Sequence, residues 1–345
     1  MSLQDKIAKI ASADTSATKE QTPMQALSDA LANDMAAVND HIVTRMDSHV
    51  ALIPKLGNYL VAAGGKRIRP LLTLAATELY NGDMKRAQRL AACVEFIHTA
   101  TLLHDDVVDE SEQRRGQDAA NLIYGNNAAV LVGDFLFSRS FQIMTEDGDL
   151  EILRILSGAS ATIAEGEVMQ LVTTNNLSTT MKEYIEVIEG KTAALFTAAC
   201  EVGPVIAGAD ESAQRAMADY GLNLGIAFQI ADDALDYMAN RKKLGKVIGD
   251  DFREGKMTAP VLLALAKATD EEKDFWTRTI GNKDQHEDDL ATAQRLFEKY
   301  GIYKETIDMA HAYGDKAVQA LHNAPAHPLR DLLEQTVTYS ITRNM

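Results

Sequence analysis

Two short acidic clusters stand out from an apolar background: LLHDDVVDE, with Asp105, Asp106 and Asp109, and FQIADDALDY, with Asp232, Asp233 and Asp236. On an α-helix, positions i, i+1 and i+4 lie at about 0°, 100° and 40° around the axis, so each triad is expected to converge on one face. Carboxylates that close, flanked by Leu102, Leu103, Val107 and Val108 or by Phe228, Ile230 and Leu235, repel one another and favour protonation. A divalent cation removes that cost. Oxygen ligands without Cys or His partners point to a hard ion, and Mg²⁺ fits best because it accepts carboxylates together with water and substrate phosphates. One such cluster reads as a solvated helix end; two of them, each inside an apolar helix, read as a metal-assisted phosphate site.

A phosphate ligand needs cations, and this acidic chain collects them locally. Gly64-Gly65-Lys66-Arg67-Ile68-Arg69-Pro70 joins a flexible turn to three cations just before a proline suited to a helix's first turn, where free N–H groups also favour anions. Arg114 and Arg115 follow the first triad, and their planar forks suit bidentate phosphate contact. Lys191, Lys246 and Lys256 each follow a glycine. Glu189-Gly190-Lys191-Thr192 is not a P-loop, because position 185, where that motif needs glycine, is isoleucine. His98 and His104 share the first triad's helix; on spacing alone His98 is better read as a hydrogen-bonded core histidine than as a ligand contact. Met169 and the other methionines read as packing.

The elements that must carry these groups are helices. The chain has 345 residues, seven of them proline, and is rich in helix formers. Apolar positions recur at three- and four-residue spacing from about Met24 to Val50, Pro70 to Tyr80, Asp83 to Val108, Ala128 to Thr145, Leu150 to Val172 and Thr179 to Ile188. Further runs extend from about Lys191 to Val205, Ser212 to Ala239, Ala259 to Ala268, Glu287 to Tyr300 and Ile302 to Leu321. No strand–helix alternation and no repeat interrupts them, which predicts an all-α fold: a single large helical bundle. The helices over 83–108 and 212–239 are apolar nearly all round and belong at its centre. Residues 1–22 are expected to form a mobile tail, leaving 23–345 as the folded domain.

With 34 Lys+Arg against 50 Asp+Glu, the net charge of −16 excludes a general nucleic-acid surface. Cys93 and Cys200 lie far apart and suggest neither a disulfide framework nor a zinc site. No apolar run is long enough to predict a transmembrane segment, and the N-terminus lacks the apolar core of a signal peptide. The cytoplasm is the expected location.

Taken together, these segments resemble the trans-isoprenyl diphosphate synthases of the long-chain polyprenyl (octaprenyl, solanesyl or decaprenyl) type. The matching motifs are GGKRIRP at 64–70, EFIHTATLLHDDVVDESEQRRG at 95–116, LVGDFLFSRSF at 131–141, GEVMQL at 166–171, GKTAALF at 190–196, FQIADDALDY at 228–237 and GKVIGDDFREGKMTAP at 245–260. Val247 and Met257 depart from the family's usual Asn or Asp and Pro, but neither is a charged site residue.

The resemblance implies a helical bundle around a deep central cavity, working as a homodimer with about three Mg²⁺ per active site. It implies that Asp105, Asp106, Asp109, Asp232, Asp233 and Asp236 hold the metals and, with Lys191, are catalytic. Arg114, Lys191, Thr192, Gln229, Lys246 and Lys256 would bind the allylic diphosphate; Lys66, Arg67, Arg69, His98 and Arg115 would bind isopentenyl diphosphate. The allylic C–O bond then ionises, the isopentenyl double bond attacks the cation, and proton loss completes a trans double bond. Apolar walls keep water from the cation.

Product length follows from what lies under the first triad. Thr101 and Ala100, four and five residues before Asp105, are small where the resemblance implies that aromatics stop growth early. The expected product is a polyprenyl diphosphate of about C40–C50; the resemblance alone implies a quinone side chain as its destination and leaves open whether it is passed to a membrane enzyme. Phe135, Phe137 or Phe141 could supply a deeper stop. Alternatives are a short-chain farnesyl or geranylgeranyl synthase, disfavoured by Ala100 and Thr101, and a terpene cyclase, disfavoured by Lys66, Arg67, Arg69 and His98. A non-catalytic subunit of a heteromeric synthase would be expected to have lost site residues that are intact here.

Overall fold

The Thr22 hydroxyl accepts from the Gln25 N–H while the Gln25 side chain returns to the Thr22 N–H, and this reciprocal cap opens α1 (Pro23–Ala30). The computed structural model describes residues 21–62, 65–114, 117–238 and 248–342. Of the expected tail, 1–20 lie outside them, and Thr22 belongs instead to the first helix cap. After α1 come α2 (Ala32–Arg45), α3 (Leu52–Ala62), α4 (Ile68–Leu79) and α5 (Met84–Val108), then α6 (Ala120–Tyr124), α7 (Asn126–Asp147), α8 (Leu150–Thr173) and α9 (Met181–Ile188). A π-helical turn over Glu189–Ala193 leads into α10 (Ala194–Ile206), followed by α11 (Glu211–Asp236), α12 (Asp250–Glu254), α13 (Ala259–Lys267) and α14 (Asp270–Trp276). A second π turn, Thr277–Gly281, precedes α15 (Asp289–Tyr300), α16 (Ile302–Leu321) and α17 (Pro328–Thr342). A two-residue antiparallel pair, β1 (Gln113–Arg114) with β2 (Gln117–Asp118), is the strand structure of the described residues.

The two helices expected at the centre are there. On α5 the stretch from Leu90 to Ile97 is buried without a break, and α11 is buried nearly all round from Tyr220 to its end. Helix α5 packs on α4, α7 and α2, while α11 packs on α10 and α16. Asp83 starts α5 by accepting from the N–H groups of Lys85 and Arg86, and Asp210 starts α11 by accepting from Ala213 N–H. Both helices therefore run capped into the core and deliver their aspartates at their C-terminal ends. Among the described residues no helix is long and apolar enough to cross a membrane.

Some elements differ from expectation. The periodic run from Met24 to Val50 is two helices, interrupted at Leu31, whose backbone leaves the helical region. Helix α3 is absent from the periodicity reading because Pro54 looks like a breaker; it occupies the first turn, where no intrahelical N–H is required. The short helices α6, α12 and α14 and the C-terminal α17 were also outside the predicted set.

Candidate active site

The aspartate clusters occupy the last turn of α5 and the last turn of α11. A helix C-terminus carries negative dipole charge, so clustering carboxylates there is unfavourable unless cations sit beside them. Lys191 and Lys256 supply them. Lys191 Nζ lies 2.6 Å from Glu167 Oε2 and 3.8 Å from Asp105 Oδ2, and Lys256 Nζ lies 3.2 Å from Asp109 Oδ2. Lys256 also pairs with Glu254.

Helix geometry splits each triad rather than gathering it. Asp105 and Asp109, four residues apart, face Lys191 and Lys256; Asp106, about 100° round the helix, is buried and accepts from Arg114 Nε at 2.8 Å. In the second cluster Asp233 is buried and accepts from Tyr184 Oη at 2.6 Å and Gln229 Nε2 at 2.7 Å. Asp236 Oδ2 accepts from the Asp251 N–H at 3.0 Å, and Asp232 is the more accessible member. The middle member of each cluster thus leaves the face its neighbours were expected to share with it, and among the described residues no three acidic, His or Cys side chains form a group able to hold a metal alone. An ion placed here takes part of its shell from its substrate and water.

Burial raises Asp105, and Asp109 beside it adds to the shift against the opposing ammonium of Lys191. Glu167 is raised by burial and by Asp105. Asp233 is pushed well above the carboxylate range by burial and by Asp251, despite its two donors. Burial pulls Lys256 down, but Asp251, Asp109 and Glu254 outweigh it and hold the ammonium charged. The cleft is therefore short of positive charge, and its donors are hard oxygens: the chemistry of this set fits Mg²⁺.

The cation-bearing turns are placed by close backbone approach. Gly166 on α8 faces Gly190 in the π turn so tightly that a methyl on Gly166 would lie 2.5 Å from Lys191 N. That contact sets Glu167 against Lys191, and the π turn, a frequent device at functional sites, aims Lys191 and Thr192 together into the cleft. Thr192 Oγ1 donates to Gln229 Oε1 at 2.9 Å. An open pocket of about 540 Å³ is lined by Lys191, Thr192, Gln229, Asp233, Asp251 and Lys256 among others.

The other expected diphosphate site lies lower on α5. His98, two turns or about 10 Å before Asp105, has its ring nitrogens 3.2 and 3.3 Å from Arg69 Nη1, and the Arg69 guanidinium stacks 4.5 Å from the Phe196 ring centre. Lys66 Nζ is 5.8 Å from the Tyr339 ring centre on α17. Arg67, in the left-handed region at φ 46°, pairs with the buried Glu95, one turn before His98 on the same helix. That pair and Asp106–Arg114 border a second pocket, of about 590 Å³, with Phe96 and Leu103. Arg115 and Lys246 lie outside the described residues.

Thr101 and Ala100 separate as well. Thr101, on the Asp105 side of the helix, is half-buried and donates to His98 O at 3.0 Å. Ala100 has no exposed surface, and its carbonyl would lie 3.3 Å from a methyl on Gly133 of α7. The open floor expected at both positions is therefore not seen at Ala100, because five residues turn the helix about 140° away from Asp105.

Glu167, Tyr184 and Asp251 were absent from the sequence-derived set. Glu167 and Asp251 each sat in a matched motif, at 166–171 and 245–260; Tyr184 carried no signal.

The polyprenyl synthetase family model matches residues 50–297. This chain belongs to that family. It is 43% identical over 310 residues to the octaprenyl diphosphate synthase of Escherichia coli (strain K12), covering 90% of this chain and 96% of that protein. The crystal structure of a decaprenyl diphosphate synthase from Rhodobacter capsulatus superposes with a TM-score of 0.89 at 52% identity, covering 93% of this chain and 99% of that one. A polyprenyl synthase from Caulobacter crescentus CB15, solved with calcium and isoprenyl diphosphate, gives 0.91 at 50% identity over 95% of this chain and 100% of that one. The fold is the all-helical isoprenoid synthase fold, and the chain is a trans-prenyltransferase that makes long-chain all-trans polyprenyl diphosphates.

Proposed function

We propose that this synthase is Mg²⁺-dependent, that it extends an allylic diphosphate with isopentenyl diphosphate to about C40–C50, and that ionisation occurs between the ends of α5 and α11. The observation carrying this is the pairing of Asp105 and Asp109 with the ammonium groups of Lys191 and Lys256 in a cleft still short of cations. Bound Mg²⁺ would neutralise diphosphate oxygens and draw electrons from the allylic C–O bond. Asp105, Asp109, Asp232 and Asp236 would hold it. Lys191, Lys256 and Arg114, the last aimed by Asp106, bind the allylic diphosphate and stabilise charge on it as it departs; Thr192 and Gln229 complete its hydrogen bonding. Lys66, Arg69 and His98 hold the isopentenyl diphosphate one to two turns away along the same helix face.

A homodimer belongs to this proposal. Leu131 on α7 and Val168, Leu171 and Val172 on α8 are each more than half exposed, an apolar face suited to a second copy. Cytoplasmic action is proposed from the buried free thiols of Cys93 and Cys200, and a quinone side chain is the proposed destination of the product.

The test incubates the protein with Mg²⁺, farnesyl diphosphate and labelled isopentenyl diphosphate and resolves products by carbon number. A terminus at about C40–C50 is expected, moving to about C15–C20 in Thr101→Phe, whose ring would block the path under Asp105. A wild-type terminus at about C15–C20 would overturn the proposed length.

A further inference from the structure

Lys256 reaches the first aspartate cluster from a turn that belongs to neither aspartate-bearing helix. Its Nζ is 3.2 Å from Asp109 Oδ2 on α5, and Gly255 before it is left-handed, with φ 74°. A lysine on a glycine hinge has many conformations to lose, so its aim depends on what holds the turn.

Asn175 and Gln285 hold it, the first through its backbone N–H, in a loop that its own side chain anchors, and the second through its side-chain amide. Asn175, in the loop between α8 and α9, is itself left-handed at φ 59° and donates its backbone N–H to Gly255 O at 2.9 Å. With the amide oriented by its partners, Asn175 Nδ2 donates to Ile280 O at 2.8 Å and Oδ1 accepts from Lys283 Nζ at 3.3 Å. A methyl on Gly255 would lie 2.0 Å from that amide, so the two residues leave no slack. From the far side, Gln285 Nε2 donates to Phe252 O at 2.9 Å and to Thr279 O at 3.1 Å. The α8–α9 loop, the second π turn and the Lys256 turn are thereby tied together, and neither amide lines the pocket where Lys256 acts.

We propose that Asn175 and Gln285 are positioning residues that fix the Gly255–Lys256 turn against α5 and so set the affinity for the allylic diphosphate. This rests on the proposed assignment of Lys256 to that substrate. Isopentenyl diphosphate, held by Arg69 and His98 on other elements, should be indifferent to them.

The experiment measures kcat and both KM values for the wild type, Asn175→Gly, Gln285→Ala, Lys256→Ala and Asn175→Gly/Lys256→Ala. Glycine keeps the left-handed backbone at 175 while deleting the amide, and Gln285→Ala tests the same tie should the first variant fold poorly. Loss of this partly buried hydrogen-bond set should raise the KM for farnesyl diphosphate about tenfold, with the KM for isopentenyl diphosphate within about twofold. In the Lys256→Ala background Asn175→Gly should add nothing. Equal changes in both KM values, or an undiminished effect without Lys256, would overturn the inference while wild-type turnover left the functional reading standing. A wild-type protein that incorporated no isopentenyl diphosphate would overturn both.

Discussion

Asp106 behaves unlike its neighbours in the same motif. Its carboxylate is buried and spent on Arg114, whereas Asp105 and Asp109 look into the cleft toward lysines. Removing the charge at 106 should therefore release an arginine rather than a metal. For Asp106→Asn we expect a KM for farnesyl diphosphate raised about tenfold, the cost of a weakened charge-assisted hydrogen bond, with a much smaller fall in kcat. A collapse of kcat with unchanged KM would place Asp106 among the metal-holding residues. The identities of these residues were legible in the sequence because charge inside an apolar helix has few structural excuses. Their partition was not, since it depends on Arg114 and Tyr184, which arrive from elsewhere in the chain. Arg67 shows the same limit: its cluster of cations was plain, but its pairing with Glu95 depends on a left-handed backbone that only the folded turn reveals.

At the scale of elements, α5 and α11 were readable from their near-continuous apolar content, while α3 was hidden by Pro54 and α14 by its brevity. Helix α14 is held by an electrostatic tie that can be titrated. Thr269 and Glu272 form a capping box, and Glu272 also accepts from Lys299 Nζ at 2.6 Å and Tyr300 Oη at 2.7 Å, joining α14 to α15. The Lys299 ammonium, the Thr269 backbone and the Tyr300 hydroxyl hold the Glu272 carboxyl down to about 2 from the ordinary 4.5. Because the folded value is the lower one, this stabilisation is complete above about pH 4.5 and is lost as the pH falls toward about 2. The gap in thermal midpoint between the wild type and Glu272→Gln should accordingly be constant near neutrality, narrow in acid and close near about pH 2. A gap unchanged across that range would show that Glu272 acts through packing.

For the whole molecule, the two acidic helix ends are brought together by a core that leaves one face of α7 and α8 uncovered. The proposed homodimer predicts that Leu171→Glu combined with Val172→Glu shifts the protein from dimer to monomer in sedimentation, with helical content retained. Dimers persisting in that variant would move the interface elsewhere. Composition and periodicity made the all-α bundle legible, but they could not show which apolar residues remain outside it, because burial of a helix face is decided by its neighbours.

The claim on which the rest depends is that catalysis needs a cation between Asp105, Asp109 and the end of α11. The most direct measurement is labelled isopentenyl diphosphate incorporation against Mg²⁺ concentration for the wild type and Asp105→Asn, beginning from chelator-treated protein. We expect no incorporation without Mg²⁺, saturable recovery in the wild type, and a loss of at least about a hundredfold in the variant even at saturating metal. Full wild-type turnover in chelator, or an Asp105→Asn variant as active as the wild type, would contradict the account.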